Sequence, residues 1–168
     1  LDVIRLPFDV ALDSNTVLAK VRQAFDVEAQ NETKHASKLM ARLYTAMEKA
    51  YPSGIDEKAR DHQISVTLAR ILFLMFGDDT DMWRENLFQN FILDHTNHDG
   101  SDIGDRLTDL FDYLDTPPAA RPAVIPDMFE GFRYVNGRIF EKHLELPTLN
   151  AEFRDAVLDA CDRDWKTI

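Results

Sequence analysis

The sequence predicts an all-α fold, a helical bundle of about six to seven helices with one small turn or hairpin near its C-terminal end. Apolar residues recur every three to four positions through most of the 168 residues. Hydrophobic residues make up 45% of the chain and charged residues 29%, which is a globular composition. The tight-turn dipeptide Asn136-Gly137 stands between aromatic and aliphatic residues. We expect a single domain over 1–168, cut from a larger protein because the chain starts at Leu1 and not at a methionine.

The first elements follow from periodicity and helix-ending residues. Residues 1–13 fit a short strand or an extended arm. A first helix is expected after a cap at Ser14 or Asn15, and a second from about Thr33 to Tyr51, before Pro52 and Gly54.

A third helix is expected from about Asp56 to Phe76. It is apolar on all sides at 71–76, which is typical of a central, covered helix. Gly77 is expected to close it as a C-cap.

The remaining elements are shorter. A fourth helix is expected around 87–92, a fifth over about 102–114, and a proline-rich connector over 116–126. A short helix near 127–131 precedes the Asn-Gly turn, and a last helix is expected over about 150–165.

Charge and cysteine usage exclude several classes of protein. The net charge of −11 argues against a free-standing DNA-binding domain, which is usually basic. The single cysteine, Cys161, excludes an internal disulfide and fits a reducing cytosol, so we expect a cytoplasmic protein with no membrane partner. Cys161 lies on an apolar helix face without a nearby base, so a nucleophilic role is not expected.

The charges are unevenly distributed. Residues 78–115 contain eleven acidic residues and two basic ones, whereas 34–60 contain six basic and three acidic. One side of the fifth helix is expected to carry Asp102, Asp105, Asp109 and Asp112, either as a solvated face or as a docking face for a basic domain. A basic row on the second helix is a solvated face or a candidate DNA-backbone contact; its members are Lys34, Lys38, Arg42 and Lys49.

No metal site is expected. A calcium loop centred on Gly100 would place His95 first and Arg106 last, where carboxylates are needed. Two histidines and three aspartates cluster there without a known transition-metal spacing; they are Asp94, His95, His98, Asp99 and Asp102. The sequence also shows no catalytic motif and no cofactor motif.

Two features suggest structural roles. Arg70 stands within an apolar run, so its guanidinium needs a partner, and we expect a carboxylate, Asp79 or Asp164. Asn136-Gly137 is expected to form a tight turn with Gly137 at positive φ, with Phe132, Tyr134 and Phe140 largely buried.

Three signature segments, 68–83 (LARILFLMFGDDTDMW), 132–140 (FRYVNGRIF) and 159–168 (DACDRDWKTI), together resemble one family. It is the helical, helicase-like spacer domain of MmeI-like fused restriction–modification enzymes and related phage-defence adenine methyltransferases. The family patterns are L-x-R-x-L-F-x-L-F-A-E-D-T-G-x-F, F-x-Y-V-N-G-G-x-F and D-W-S-x-I. Matching signature residues include Arg70, Asp79, Tyr134, Asn136, Gly137, Asp164 and Trp165, and departures stand at Gly77, Asp78, Asp81, Trp83, Arg138 and Lys166.

The resemblance implies that this chain connects an N-terminal nuclease region to an adenine-N6 methyltransferase domain. It implies S-adenosylmethionine as a cofactor of the parent protein, and flanking domains and DNA as partners. The cofactor loop and the N-P-P-Y/F motif of such enzymes do not occur in these residues, so catalysis is expected elsewhere in the parent. The Asn-Gly turn is then expected to orient a domain junction.

Two other interpretations stay open. One is an independent helical protein-interaction module, and the other is a metal-binding regulator. Methyltransferase motifs soon after residue 168 would favour the spacer, and zinc or calcium titration would test the regulator.

Overall fold

The computed structural model describes the backbone of residues 2–167 and the side chains of 17–166. Its five α-helices are α1 (Asp2–Ala50), α2 (Glu57–Asp79), α3 (Leu87–His95), α4 (Ile103–Leu114) and α5 (Ala151–Cys161). Three 3₁₀ helices span Pro118–Ala120, Asp127–Phe129 and Trp165–Thr167. No strand occurs between residues 2 and 167. The all-α prediction is confirmed, with fewer α-helices than the predicted six to seven and no hairpin in the described backbone.

α1 is one helix of 49 residues, so two predictions are wrong: the extended arm, for residues 2–13, and the division into two helices. Residues 8–50 contain neither glycine nor proline. The polar stretch around residues 26–35 interrupts the apolar pattern, but its residues do not break a helix. The predicted end holds, because Pro52 and Gly54, at φ +95°, follow the helix directly.

α2 begins where predicted but ends later. Asp56 is its N-cap, and the Asp56 side chain accepts a hydrogen bond from the Ala59 amide at 3.1 Å. The prediction that Gly77 closes the helix is wrong, because the helix continues to Asp79 with Gly77 buried inside it. Gly77 is instead a point of close packing, described below.

The core lies between α2, the C-terminal half of α1, α3, α4 and α5. α1 packs on α5 and α2, and α3 packs on α2 and α5. Large side chains that are almost fully buried form its centre: Leu43, Met47, Ile64, Ile71, Leu74, Phe88, Phe91, Phe111, Phe140 and Phe153. None of the helices in the described part of the chain is long and apolar enough to cross a membrane.

The irregular chain between α4 and α5 packs along α4. The Val135 amide donates to the Leu114 carbonyl at 3.0 Å, at the end of α4. The Thr108 hydroxyl, one to two turns earlier, donates to the Leu144 carbonyl at 3.2 Å. The chain therefore runs back along α4 toward its start, and Asn150 then caps α5 by accepting from the Phe153 amide at 2.8 Å.

Candidate functional site

Arg70 ties the second signature segment to α2. The residue is 1% exposed. Its Nε donates to the Ile139 carbonyl at 2.7 Å and its Nη2 to the Lys142 carbonyl at 2.6 Å. The guanidinium also lies 5.1 Å from the ring centre of Phe111 and 5.6 Å from that of Phe140.

The predicted carboxylate partner of Arg70 is therefore wrong, because main-chain carbonyls and aromatic rings hold its guanidinium rather than Asp79 or Asp164. Burial lowers the pKa of Arg70, while Asp112 and Asp115 act electrostatically to raise it. The sequence correctly predicted that the Arg70 guanidinium is buried and has partners. Those partners are main-chain carbonyls, which no side-chain pattern identifies.

The Asn136-Gly137 dipeptide is not the predicted tight turn. Gly137 does not take a positive φ, and nothing lies within 4 Å of the position a Cβ would occupy. A turn forms one residue later, over 138–141, where the Glu141 amide donates to the Arg138 carbonyl at 3.3 Å. Arg70 fixes the carbonyls of this later turn, which explains why tertiary contacts override the local Asn-Gly preference.

The predicted burial of the aromatic flanks is confirmed for two of the three. Phe132 and Phe140 are 3% and 1% exposed, whereas Tyr134 is only half-buried. Phe132 packs edge-on against Trp83 at 5.2 Å between ring centres, and Phe140 does so against Phe73 at 5.7 Å. The second signature segment is thus anchored on the first by aromatic contacts as well as by Arg70.

Asp79 joins the first signature segment to the third. Its Oδ2 accepts a hydrogen bond from the Trp165 backbone amide at 2.7 Å. The Trp165 indole Nε1–H in turn donates to the Ala160 carbonyl at 2.7 Å, near the end of α5. Asp164, which precedes Trp165, accepts from the Lys166 amide at 3.3 Å. The end of α2 and the 3₁₀ turn after α5 therefore form one joint.

Asp78 organises the other side of this joint. Its Oδ1 accepts from the Trp83 indole and the Phe88 amide, both at 2.8 Å, and its Oδ2 accepts from the Gln89 amide at 3.1 Å. Burial raises the pKa of the Asp78 carboxyl, and these three hydrogen bonds act to lower it. A carboxylate at this position satisfies the free amides at the start of α3.

Three departures from the family pattern are coupled in space. Where the pattern has alanine, Gly77 lies against the Trp83 ring, and a Cβ there would be 2.4 Å from Trp83 Cζ2. Trp83 stands where the pattern has phenylalanine, and its indole donates to Asp78, which replaces a glutamate. The larger ring of Trp83 therefore occurs together with the loss of a methyl group at Gly77 and with the shorter acidic side chain of Asp78.

Asp81 is a fourth departure from the family pattern, and its backbone conformation explains why it is tolerated. It has φ +59°, the left-handed conformation that glycine adopts most easily, and the pattern has glycine at this place. Aspartate is among the few other residues that tolerate it. The backbone geometry that the pattern implies is therefore kept despite the substitution.

Comparison with known proteins agrees with this arrangement. Residues 62–140 match the family model described as MmeI, helicase spacer domain. A solved structure of the type IIL restriction–modification enzyme MmeI in complex with DNA aligns with a TM-score of 0.66 and 31% identity, over 76% of this chain and 17% of that one. DNA methyltransferase A of Bacillus subtilis (strain 168) is 34% identical over 125 residues, which is 74% of this chain and 13% of that protein.

Residues 62–140 belong to the MmeI helicase spacer family. The chain spans about an eighth of the length of DNA methyltransferase A and about a sixth of the MmeI chain. The family match includes the first two signature segments, which the hydrogen bond from Arg70 to the Ile139 carbonyl joins.

Two residues of the basic row pair with acidic residues of α5, and the other two do not. Arg42 pairs with Asp159, and Lys49 Nζ lies 3.4 Å from Glu152 Oε2, both acids being on α5. Lys34 and Lys38 are exposed, and neither makes an ion pair within residues 17–166. Half of the predicted row therefore pairs with acidic residues of α5, and DNA contact stays a prediction for the row.

The acidic residues of α4 have separate local partners. Asp102 accepts from the Asn97 amide at 2.7 Å, before the helix starts, and its Oδ2 lies 3.6 Å from Arg106 Nε. Asp112 binds His143 Nδ1 at 2.8 Å, and this contact raises the pKa of His143. Asp105 and Asp109 are both exposed, and partial desolvation raises the pKa of Asp109. The face is partly structural and partly solvated.

The loop before α4 uses its polar groups internally. Asp99 Oδ1 accepts from the Ser101 amide at 3.0 Å, and this bond lowers the pKa of Asp99. Gly100, at φ +71°, is buried against the Asn150 carbonyl, where a Cβ would lie 2.2 Å away. Across residues 17–166, no three His, Cys, Asp or Glu side chains are grouped so as to hold a metal ion. Burial raises the pKa of the Cys161 thiol well above its usual range, so its thiolate is disfavoured.

Two further arginines that, like Arg70, bind main-chain carbonyls were missed by sequence reasoning. Arg154, 4% exposed, donates to the Ile92 and Leu93 carbonyls at 3.3 and 3.4 Å, near the end of α3. Arg121 donates to the Tyr113 carbonyl at 3.1 Å near the end of α4, and lies 3.9 Å from the Tyr113 ring centre. Cations favour helix C-termini, but neither residue lies on the helix it caps. The sequence therefore gives no local signal for either contact.

Proposed function

We propose that this domain is a non-catalytic spacer in a site-specific adenine-N6 DNA methyltransferase. It joins an N-terminal nuclease region to a methyltransferase domain in a restriction–modification or phage-defence protein of the cytoplasm. The observation that carries the proposal is the match of residues 62–140 to the spacer family, in a fold whose three signature segments are tied together through buried polar contacts.

A rigid joint is what a connecting domain requires. Arg70 fixes the 139–142 turn to α2, and Asp79 fixes the Trp165 backbone to the end of the same helix. These contacts lie within the spacer and hold its own parts in fixed positions. A rigid spacer would keep the domains at its two ends in one relative orientation, whereas a flexible linker would leave it free. The spacer would thus set the distance and angle between catalytic domains.

S-adenosylmethionine and the flipped adenine would be bound outside these residues. The sequence contains neither the N-P-P-Y/F motif nor a glycine-bearing cofactor loop. The spacer would affect methylation only by positioning the domain that performs it.

A linker replacement tests this role in the full-length parent protein. Residues 17–166 are replaced by a flexible Gly/Ser segment, and S-adenosylmethionine affinity and methylation of target DNA are both measured. The proposal expects cofactor affinity within about twofold of wild type and a loss of methylation of at least about tenfold. Unchanged methylation refutes the spacer role, and lost cofactor binding with a folded methyltransferase domain places the cofactor site in this domain.

We also propose that the exposed part of the basic row contacts the DNA backbone. Lys34 and Lys38 carry this proposal, because α5 already neutralises Arg42 and Lys49. Two phosphate contacts contribute a slope of roughly −2 to log K against log salt.

The test compares two double variants of the full-length protein. Lys34→Glu/Lys38→Glu is expected to weaken binding to all DNA sequences alike and to remove that slope contribution. Arg42→Glu/Lys49→Glu is the matched control, expected to lower the stability of the α1–α5 contact and leave the slope unchanged. If wild type and Lys34→Glu/Lys38→Glu show the same slope of log K against log salt, the two lysines lie on a solvated helix face and do not contact DNA.

A further inference from the structure

α2 carries an apolar stripe that the described fold leaves uncovered. Ala69, Leu72 and Phe76 lie at spacing i, i+3, i+7 on its outer side, and all three are exposed. Leu72 and Phe76 keep 38% and 43% of their surface accessible. The sequence predicts a helix covered on all sides at 71–76, so this prediction is wrong for the domain by itself. A helix that is apolar all round is normally buried, and the missing cover has to come from elsewhere.

The stripe forms one wall of a groove of about 430 Å³. Phe73, Ile139, Trp165 and Lys166 line the rest of it. The contacts already described hold these parts in place: Arg70 binds the Ile139 carbonyl, and Asp79 binds the Trp165 amide. The groove is therefore preformed, so an occupant need not pay for ordering it.

An acidic cleft adjoins the groove on one side. Lys166 also lines an adjoining cleft rich in carboxylates. The acids that line it are Asp78, Asp79, Asp81, Glu85, Asp162 and Asp164. A fitting partner surface would present an apolar ridge to Leu72 and Phe76 and basic side chains to this acidic cleft.

The exposed area favours an occupant in the same chain over a second copy. Two partly exposed side chains and their neighbours offer on the order of 300 Å², whereas a stable interface between separate proteins buries about 800 Å² on each side. Connection through the chain supplies a high effective concentration, so a small contact suffices. The groove wall at Trp165 and Lys166 belongs to the last described turn, so residues that continue the chain would emerge beside it.

We propose that this groove is the docking site for the methyltransferase domain that follows the spacer in the parent protein, an inference that rests on the proposed function. An apolar ridge of that domain covers Leu72 and Phe76, and its basic residues face the acidic cleft. The contact fixes the catalytic domain on the spacer at the joint where Asp79 and Trp165 meet.

Site-specific photo-crosslinking in the full-length protein tests the docking. The photoreactive amino acid p-benzoyl-phenylalanine replaces Phe76, and the matched control replaces Val124, which is 84% exposed and lies outside the groove. Crosslinked peptides are identified by mass spectrometry. The proposal expects position 76 to crosslink within one chain, to peptides C-terminal to residue 168, at a yield at least tenfold above position 124.

Other outcomes overturn the docking. Crosslinks between two chains would assign the groove to a second copy, and crosslinks to peptides before residue 1 would assign it to the N-terminal region. Equal, low yields at both positions would leave the groove solvated. A crosslink to the following domain in a protein that does not methylate adenine would keep the docking and refute the proposed function, so the two fail separately.

Discussion

Gly77 and Trp83 give the sharpest test of the packing in the first signature segment. A Cβ at position 77 would lie 2.4 Å from Trp83 Cζ2, with two more ring atoms at 2.8 and 2.9 Å. Carbon atoms in good contact lie about 3.5–4.0 Å apart, so the ring would have to shift. Overpacking of this kind costs about 1–3 kcal/mol, and replacing glycine by alanine inside a helix returns about 1 kcal/mol. We expect Gly77→Ala to lower the free energy of unfolding by about 0–2 kcal/mol.

The same change should reverse sign when Trp83 is phenylalanine, as in the family pattern. Phenylalanine lacks the second ring of the indole, so the alanine methyl group has room and the gain in helix propensity remains. Gly77→Ala in the Trp83→Phe background is therefore expected to stabilise the protein by up to about 1 kcal/mol. Trp83→Phe alone removes the hydrogen bond to Asp78, at a cost of about 1–3 kcal/mol.

Equilibrium urea unfolding followed by circular dichroism at 222 nm measures all four proteins of this double-mutant cycle. The expected coupling energy is about 1–3 kcal/mol. Ser65→Ala, at an exposed position of α2, is the control and should have the same small effect in both backgrounds. An equal effect of Gly77→Ala with either ring at 83 would refute the explanation of these departures.

Three more predictions follow from the contacts. Arg70→Leu leaves the part-buried carbonyls of Ile139 and Lys142 without their guanidinium donor and should lower the free energy of unfolding by about 2–4 kcal/mol in urea titration; a loss below about 0.5 kcal/mol would contradict the role of this anchor. Gly137→Val should change it by less than about 0.5 kcal/mol, because the site is open and its φ is not positive; a larger loss would restore the left-handed turn. The Asp112 contact raises the pKa of His143, so its stabilisation is complete below the unfolded pKa of about 6.5 and is lost as pH rises through the higher folded pKa. The stability difference between wild type and His143→Gln should therefore be larger at pH 5.5 than at pH 8.5, and a pH-independent difference would refute this.

Periodicity and capping residues predicted most of the helices. The Asp56 and Asn150 side chains cap the helices that were expected to begin near them, and α3 and α4 form close to the expected positions. The division of α1 was wrong because a gap in apolar residues is not a helix break when glycine and proline are absent. Local pattern therefore predicted which segments are helical better than where one helix ends.

The errors at the candidate site arose from contacts between distant segments. Asn136-Gly137 suits a tight turn in isolation, but the turn forms at 138–141, next to the carbonyls of Ile139 and Lys142 that Arg70 binds. The indole of Trp83 likewise makes Gly77 a packing residue and not a cap. Such choices depend on residues about 70 positions apart or on ring packing, and single-segment propensities do not contain them.

The order of the signature segments predicted the family, and their contacts explain why those residue types occur together. Arg70 needs the 139–142 turn, and Asp79 needs the amide of Trp165. A joint built this way suits a domain that positions others. The central claim is that the joint carries no chemistry of its own.

Methyl transfer from labelled S-adenosylmethionine to duplex DNA tests that claim most directly. The full-length parent protein and the 1–168 chain are assayed at equal molar concentration, and N6-methyladenine is quantified in the product. The account predicts methylation by the full-length protein and none above background by the 1–168 chain. Methylation by the 1–168 chain alone, or its absence with the folded full-length protein, would contradict it.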